Sequence, residues 1–353
     1  MDNFASSREG TESGSERVAV PAAVDRARVL VVPALRAAVD VFDGGQMRAI
    51  AGYHFGWLDT DGRPVAGNGG KAIRPTLVVL SAEAGGGTSA DGVPAAVAVE
   101  LVHNFSLVHD DIMDRDVERR HRPTAWVVFG EGQAILAGNA MLMAAIDVLV
   151  RAGPSGERCL PSLLVAVQRL ISGQSADLAL GGLGEVGLDE VLAMEAGKTA
   201  ALLACSASIG AIAAGASSTV VDGLFGYGHE LGMAFQLVDD ILGITGDATA
   251  TGKSSSSDVR AGKRSAPIVA ALVAGTAASR QLANVLERGL PASDDDVIHV
   301  TKLIDEAGGL DWAAHEADRR LAAALGHLGA LPLPAAASSD LASLARYVVE
   351  RDR

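Results

Sequence analysis

Two stretches of helical apolar period each run into a pair of adjacent aspartates, and this coincidence constrains the chain more than any other feature. After Pro94, a residue favoured in a first helical turn, apolar positions recur at Val97, Leu101, Phe105, Val108 and Ile112, and the pattern closes on Asp110, Asp111 and Asp114. A second stretch carries Leu224, Leu231, Phe235, Val238 and Leu242 on one side and places Asp239 and Asp240 near its end. Acid at a helix C-terminus opposes the macrodipole, so each arrangement costs stability unless a cation is supplied. Two such helices are best satisfied when their acidic ends face a common cavity. A third stretch, from Leu310 through Ala314, Ala317, Leu321, Leu325 and Leu328, carries no titratable cluster and reads as packing alone. Strand-forming alternation is scarce while Ala, Leu, Val and Glu are abundant, so long helices and an all-α fold are expected.

Composition bounds the function. The chain has 353 residues, 49% hydrophobic and 20% charged, enough for a large core. No internal linker separates two patterns, which predicts one domain over residues 19–353 after a polar tail, residues 1–18, expected to be disordered. The formal net charge of -14 excludes the basic face a nucleic-acid partner requires. Cys159 and Cys205 are too few for a disulfide framework or a thiolate metal site, which fits a cytoplasmic protein. The most membrane-like segment, Thr199 to Ala214, is short and rich in Ala and Gly, and reads as a buried helix, so no membrane span is expected.

The chemistry concentrates in a few places. On a helix Asp110 and Asp114 stand one turn apart on one face, where two carboxylates can hold a hard cation together. Magnesium suits such a site, because it is held by one or two carboxylates plus substrate phosphate oxygens. Arg119, Arg120 and Arg122 follow, and a guanidinium fork grips phosphate oxygens in pairs. The segment Gly67 to Pro75 sets flexible backbone beside Lys71 and Arg74. Lys198 and Thr199 enter a very apolar helix, where a lysine either snorkels outward or faces a polar cavity. His103 lies two turns before Asp110, and lone histidines there are commonly packed and hydrogen-bonded.

Taken in order, the elements GGKxxRP, DDxxD, RR followed by PT, GQxxD, KT, FQxxDD and a GK…D…K tail resemble the trans-isoprenyl diphosphate synthase family, from about Gly69 to Pro267. The resemblance implies an all-α fold, one large helical bundle around a deep central cavity with the two aspartate-bearing helices facing each other across its mouth, and an enzyme that ionises an allylic prenyl diphosphate and joins it to isopentenyl diphosphate, with three magnesium ions and a homodimeric assembly. It implies metal binding by Asp110, Asp114 and Asp239, with Asp111, Asp240 and Lys198 also in the catalytic set. Allylic diphosphate contacts carry over to Arg119, Lys198, Thr199, Gln236, Lys253 and Lys263, and isopentenyl diphosphate contacts to Lys71, Arg74, His103 and Arg120.

Three positions depart from the family pattern. Gly243 stands where the second aspartate motif ends in aspartate, which is expected to loosen the third metal site. Ala72 replaces an arginine and Asn139 an aspartate. Phe105, five residues before Asp110 and so about 7.5 Å along the helix axis, with the small Ser106 beside it, resembles the twenty-carbon type and implies geranylgeranyl diphosphate as product. Two other readings are a class I terpene cyclase, which would have no use for the isopentenyl diphosphate contacts, and a non-catalytic partner subunit of the same fold, which would be free to lose the aspartates and arginines present here.

Overall fold

The computed structural model describes residues 20–42, 45–65, 70–180, 186–246, 256–289, 291 and 293–350. Helices account for most of the described chain, and two paired dipeptides, Glu118–Arg119 and Arg122–Pro123, form the antiparallel hairpin β1–β2. The all-α expectation holds. The polar tail, residues 1–18, lies outside the described residues.

The acidic helices formed where their apolar periods placed them. Helix α4 (Val93–Met113) has Pro94 in its first turn and buries Val97, Leu101, Phe105, Val108 and Ile112. It follows α1 (Ala22–Asp40), α2 (Gly45–His54) and α3 (Ile73–Ala84). After the short α5 (Ala125–Phe129), α6 (Glu131–Arg151) packs along α4 and α7 (Pro154–Leu180) follows. Helix α10 (Ser218–Thr245) buries Leu224, Leu231 and Val238, while Phe235 and Leu242 are half-buried at the cavity end.

Between them runs an apolar rod, α8 (Leu188–Glu195) continuing through a π-helical turn, Ala196–Ala200, into α9 (Ala201–Ala214). A helix apolar all round has no solvent face to offer. α9 is accordingly buried almost throughout, as the Thr199 to Ala214 reading required. Yet among the described residues two helices have the length and composition to cross a membrane: the one over Leu188–Ala214, mostly buried inside the protein, and α6, which keeps much of its apolar surface exposed. The sequence reading overlooked α6.

The chain then continues through α11 (Ser257–Ala261), α12 (Ala266–Val273), α13 (Ala277–Glu287), α14 (Asp294–Glu306), α15 (Gly309–Gly329) and α16 (Ala335–Glu350). The third periodic stretch forms α15, but its buried line is Ala313, Ala317, Leu321, Ala324 and Leu328, turned slightly from the expected face. It is also not free of charge pairing: Arg320 bridges Glu316 at 2.8 Å and Glu230 of α10 at 3.0 Å.

Candidate active site

A cavity of about 1400 Å³ opens between α4 and α10. Drug-sized ligands occupy pockets of roughly 300–1,000 Å³, so the space exceeds what one small substrate needs. Apart from Lys253, which lies outside the described residues, every site residue expected from the sequence lines it. Residues distant in sequence therefore share one wall system.

The first acidic wall is the end of α4. Asp110 lies in the last turn and Asp114 caps the helix, its N–H donating to the Asp110 carbonyl at 2.8 Å. Burial pushes the Asp110 carboxyl above its usual range, partly offset by the neighbouring Lys198. Asp111 turns the other way, into the protein, and accepts a 2.7 Å bond from Arg119 Nε. Burial raises its pKa to about 6, against the pull of Arg119. Asp111, buried in the cavity wall, thus anchors the arginine hairpin, while Asp110 and Asp114 keep one-fifth of their side chains exposed.

The hairpin explains why two adjacent arginines serve different places. Arg120 and His121 adopt left-handed φ of 54° and 59°, uncommon for residues with a side chain, and reverse the chain between β1 and β2. Arg119 is thereby directed to Asp111, while the Arg120 guanidinium lies against Gly70, where an added Cβ would be 3.0 Å from Nη2. Arg74 Nη1 lies 3.3 Å from His103 Nε2. Burial, reinforced by Arg74 and Arg120, holds His103 well below the usual histidine range, so the ring is neutral and accepts from Arg74. Glu100 is buried beneath these arginines, bonded at 3.0 Å by Asn104 Nδ2. The sequence reading missed it, because it sits within an apolar run.

The second wall is built differently. Asp239 faces the cavity, but Asp240 points inward and is 5% exposed. Its carboxylate accepts from Gln236 Nε2 at 2.6 Å and from the Ala266 N–H at 3.2 Å, and Thr199 donates to Gln236 Oε1 at 2.6 Å. This chain fixes the Gln236 amide and joins α10 to the π-helical turn. Burial lifts Asp240 to about 7, and Glu195, buried nearby, is held well above its usual range by burial and by Asp240. Glu195 was not anticipated either.

Lys198 does not snorkel to the surface. The π-helical turn, a distortion that recurs at functional sites, directs Nζ to Asp177 at 2.6 Å and Asp110 at 3.7 Å. Gly173 makes this possible: a Cβ there would lie 2.2 Å from the Lys198 backbone nitrogen. The glycine and aspartate of GQxxD are therefore the support and the counter-charge of the lysine. Across the mouth, Lys263 reaches Asp114 at 3.7 Å. Burial disfavours both ammonium charges, but the surrounding aspartates outweigh it and hold both lysines charged.

Among the described residues, no three His, Cys, Asp or Glu side chains converge into a preformed metal centre. The acids fit divalent ions nonetheless: Asp110 and Asp114 are one-fifth exposed and each is already faced by an ammonium group. Oxygen ligands on opposed walls, with room for phosphate oxygens between, suit magnesium rather than a thiolate-bound metal. Phe105 stacks edge-on against His109 at 4.9 Å, and both line the cavity, as do Asn139 and Leu142 of α6. Gly138 leaves room for His109, since a Cβ there would lie 2.3 Å from Nε2.

Comparison with known proteins agrees with this geometry. The chain is 46% identical over 329 residues to a (2E,6E)-farnesyl diphosphate synthase of Mycobacterium tuberculosis, covering 92% of this chain and 91% of that one. It is 41% identical over 335 residues to a geranylgeranyl diphosphate synthase of the same organism, covering 94% of each. The crystal structure of a polyprenyl synthetase from Streptomyces coelicolor A3(2) superposes with a TM-score of 0.88 at 47% identity, covering 94% of this chain and 100% of that one. A geranylgeranyl pyrophosphate synthase from Corynebacterium glutamicum, solved with isoprenyl diphosphate and magnesium, superposes with a TM-score of 0.82 at 27% identity over 94% and 99% of the two chains. Residues 56–304, which hold both acidic walls and the arginine hairpin, match the polyprenyl synthetase family model, and the chain belongs to that family.

Proposed function

We propose that the protein is a short-chain trans-prenyltransferase, condensing isopentenyl diphosphate with an allylic diphosphate to give an all-trans prenyl diphosphate. The observation that carries this reading is the charge gathered in one cavity. Asp110, Asp114 and Asp239 line it with Lys198 and Lys263, and Lys71, Arg74 and Arg120 line it together with the neutral His103. Two polyanions brought together need separate counter-charges in a site of low dielectric. Relatives named as farnesyl, geranylgeranyl and geranylfarnesyl diphosphate synthases support the reaction class.

Magnesium, three ions by family resemblance, would be held by Asp110, Asp114 and Asp239, and when bound supplies Lewis acidity to the leaving diphosphate. The protein's own groups do the rest. Arg119, Lys198, Thr199, Gln236 and Lys263 orient the allylic diphosphate, and Arg74 and Arg120 hold the second substrate with its double bond toward the allylic carbon. The Thr199–Gln236–Asp240 chain keeps polar oxygens fixed beside the developing cation, and the apolar depth excludes the water that would quench it. Asp240 and Asp111 act as positioning residues.

Phe105, braced by His109, lines the cavity one to two turns before Asp110 on the same helix, and this supports a tail stopped at twenty carbons, geranylgeranyl diphosphate. The relatives carry names for both fifteen- and twenty-carbon products and do not select between them. A cytoplasmic homodimer completes the reading. Leu136, Met143 and Val150 recur every seven residues along α6 and are exposed by 53%, 62% and 52%, an apolar stripe suited to a second copy.

The test is turnover by purified protein with magnesium, isopentenyl diphosphate and each allylic primer, with products sized by mass spectrometry. Product formation should require isopentenyl diphosphate and should be lost in Asp110→Ala. Product made from the allylic diphosphate alone would identify a cyclase instead.

A further inference from the structure

The three arginines that follow the first aspartates do not share one task. Arg119 Nε is bonded to Asp111 at 2.7 Å, and Arg120 rests its guanidinium against Gly70, whose carbonyl accepts from Arg28 Nη2 at 2.9 Å. Arg122 turns its fork on the protein itself: Nη1 donates to the Tyr53 carbonyl at 3.1 Å and Nη2 to the Leu58 carbonyl at 2.9 Å. Its guanidinium carbon also lies 4.2 Å from the centre of the Tyr53 ring, within the range of a cation–π contact. Tyr53 answers from the other side, its hydroxyl donating to the Pro123 carbonyl at 2.8 Å. The end of α2 and strand β2 are thus locked together in both directions.

The chemistry follows from a helix end. The last carbonyls of a helix lack intrahelical partners and carry the negative end of its dipole, so a cation that donates to them is favoured. Tyr53 lies in the last turn of α2, and its carbonyl also accepts from the Gly56 N–H at 2.9 Å. The base of the hairpin is held separately: the Thr124 N–H donates to the Val117 carbonyl at 3.0 Å, and Thr124 Oγ1 and Trp126 Nε1 both donate to the Asp116 carbonyl at 2.8 Å. Between this base and the Tyr53–Arg122 clasp sit Arg120 and His121, with left-handed φ of 54° and 59°. Residues with side chains keep such a conformation only where their surroundings over-determine it, and the clasp is the next contact along the chain.

We propose that Tyr53 and Arg122 are positioning residues for the isopentenyl diphosphate pocket: their clasp fixes the turn of the hairpin and with it the place of the Arg120 guanidinium against Gly70. Arg119 is anchored by Asp111 independently of the clasp, so the allylic diphosphate contacts are insulated from it. A clasp of this kind makes the outer arginine act on the substrate only through its neighbour, as a support that holds a binding group to its productive geometry. This inference rests on the reading that Arg120 holds isopentenyl diphosphate.

The test is steady-state kinetics of the full-length chain with magnesium, each substrate varied in turn, for the parent, Arg122→Met, Arg122→Lys, Tyr53→Phe and Arg120→Ala. Arg122→Met should raise the KM for isopentenyl diphosphate about tenfold, with a smaller change in kcat and a KM for the allylic primer within about twofold of the parent's. A general loss of stability would not divide the two substrates in this way. Arg122→Lys keeps the charge but, as a point donor, cannot span two carbonyls, so it should recover little of the loss. Tyr53→Phe removes only the bond to Pro123 and should give a rise of about threefold. An unchanged KM for isopentenyl diphosphate in Arg122→Met, an equal rise for both substrates, or full recovery in Arg122→Lys would overturn the proposal, and Tyr53→Phe with the parent's KM would do so if Arg122→Met does not fold. No turnover by the parent, or an Arg120→Ala variant with the parent's KM for isopentenyl diphosphate, would instead sink the reading of the pocket, a result distinct from failure of the clasp.

Discussion

Lys198 Nζ lies 2.6 Å from Asp177 Oδ2, joining the π-helical turn to α7 and holding one ammonium group at the cavity mouth. Both side chains are about one-quarter exposed, so the pair is neither a loose surface bridge nor a fully desolvated one. Its value is orientation. Asp177→Asn should leave the fold intact and free Lys198 to swing toward Asp110, which lies 3.7 Å away. Steady-state kinetics with varied allylic primer should show kcat reduced by about tenfold, on the order of 1.4 kcal/mol, while the KM for isopentenyl diphosphate stays near its original value.

The same lysine depends on the absence of a side chain at position 173. Gly173→Ala would place a Cβ 2.2 Å from the Lys198 nitrogen, and the obstacle is backbone, which cannot rotate away. Overpacking of this kind costs about 1–3 kcal/mol. Thermal unfolding of the variant should show a lowered midpoint, and turnover should fall further than stability alone explains, because the displaced turn carries both Lys198 and Thr199. A variant with the parent's midpoint and turnover would show that α7 and the turn have slack.

His54 sets an acid limit on stability. Burial, and then Arg120 and Arg119, lower its pKa from 6.5 to about 3, with Asn104 opposing. Between those values the unfolded chain binds a proton that the folded chain refuses. The stabilising contribution is complete above pH 6.5 and is lost as pH falls toward 3, at up to about 1.4 kcal/mol per pH unit. Urea unfolding at pH 7 and pH 5 should therefore show the parent losing about 2 kcal/mol more than His54→Gln over that interval. Equal losses would mean that His54 becomes protonated in the folded state.

Product length should respond to two residues that do not touch the diphosphates. Phe105→Ala removes a ring that lines the cavity and should lengthen the product. Gly138→Ala should act through His109, whose ring would be forced from its place against α6 and would carry the Phe105 contact with it. Mass spectrometry of products from both variants checks this, and unchanged chain lengths would remove Phe105 and His109 as the floor.

Much of the site is legible in the sequence because it depends on local period and on residue type. The helical spacing before Asp110 and before Asp239 fixes which face of each helix is buried, and the turn containing Arg119 and Arg120 falls between recognisable elements. Spacing alone cannot say which member of an aspartate pair faces the cavity. Asp111 turns inward to Arg119 of the hairpin, and Asp240 to the Ala266 N–H of another helix as well as to Gln236 one turn before it. Glu100 and Glu195 were hidden for the same reason, since a buried carboxyl is distinguished by its neighbours and not by its own position in a run.

The sequence by itself determined the helical fold and the placing of the aspartate pairs at helix ends, because apolar periodicity acts at every point along the chain, while the choice of the other site residues rested on the resemblance of ordered motifs to a family. Only the tertiary structure decided that the Asp258 carboxylate packs against Gly243, and that Lys198 faces inward over Gly173. Those facts depend on the close approach of segments remote in sequence. Excluded volume, which no single stretch of sequence encodes, governs both.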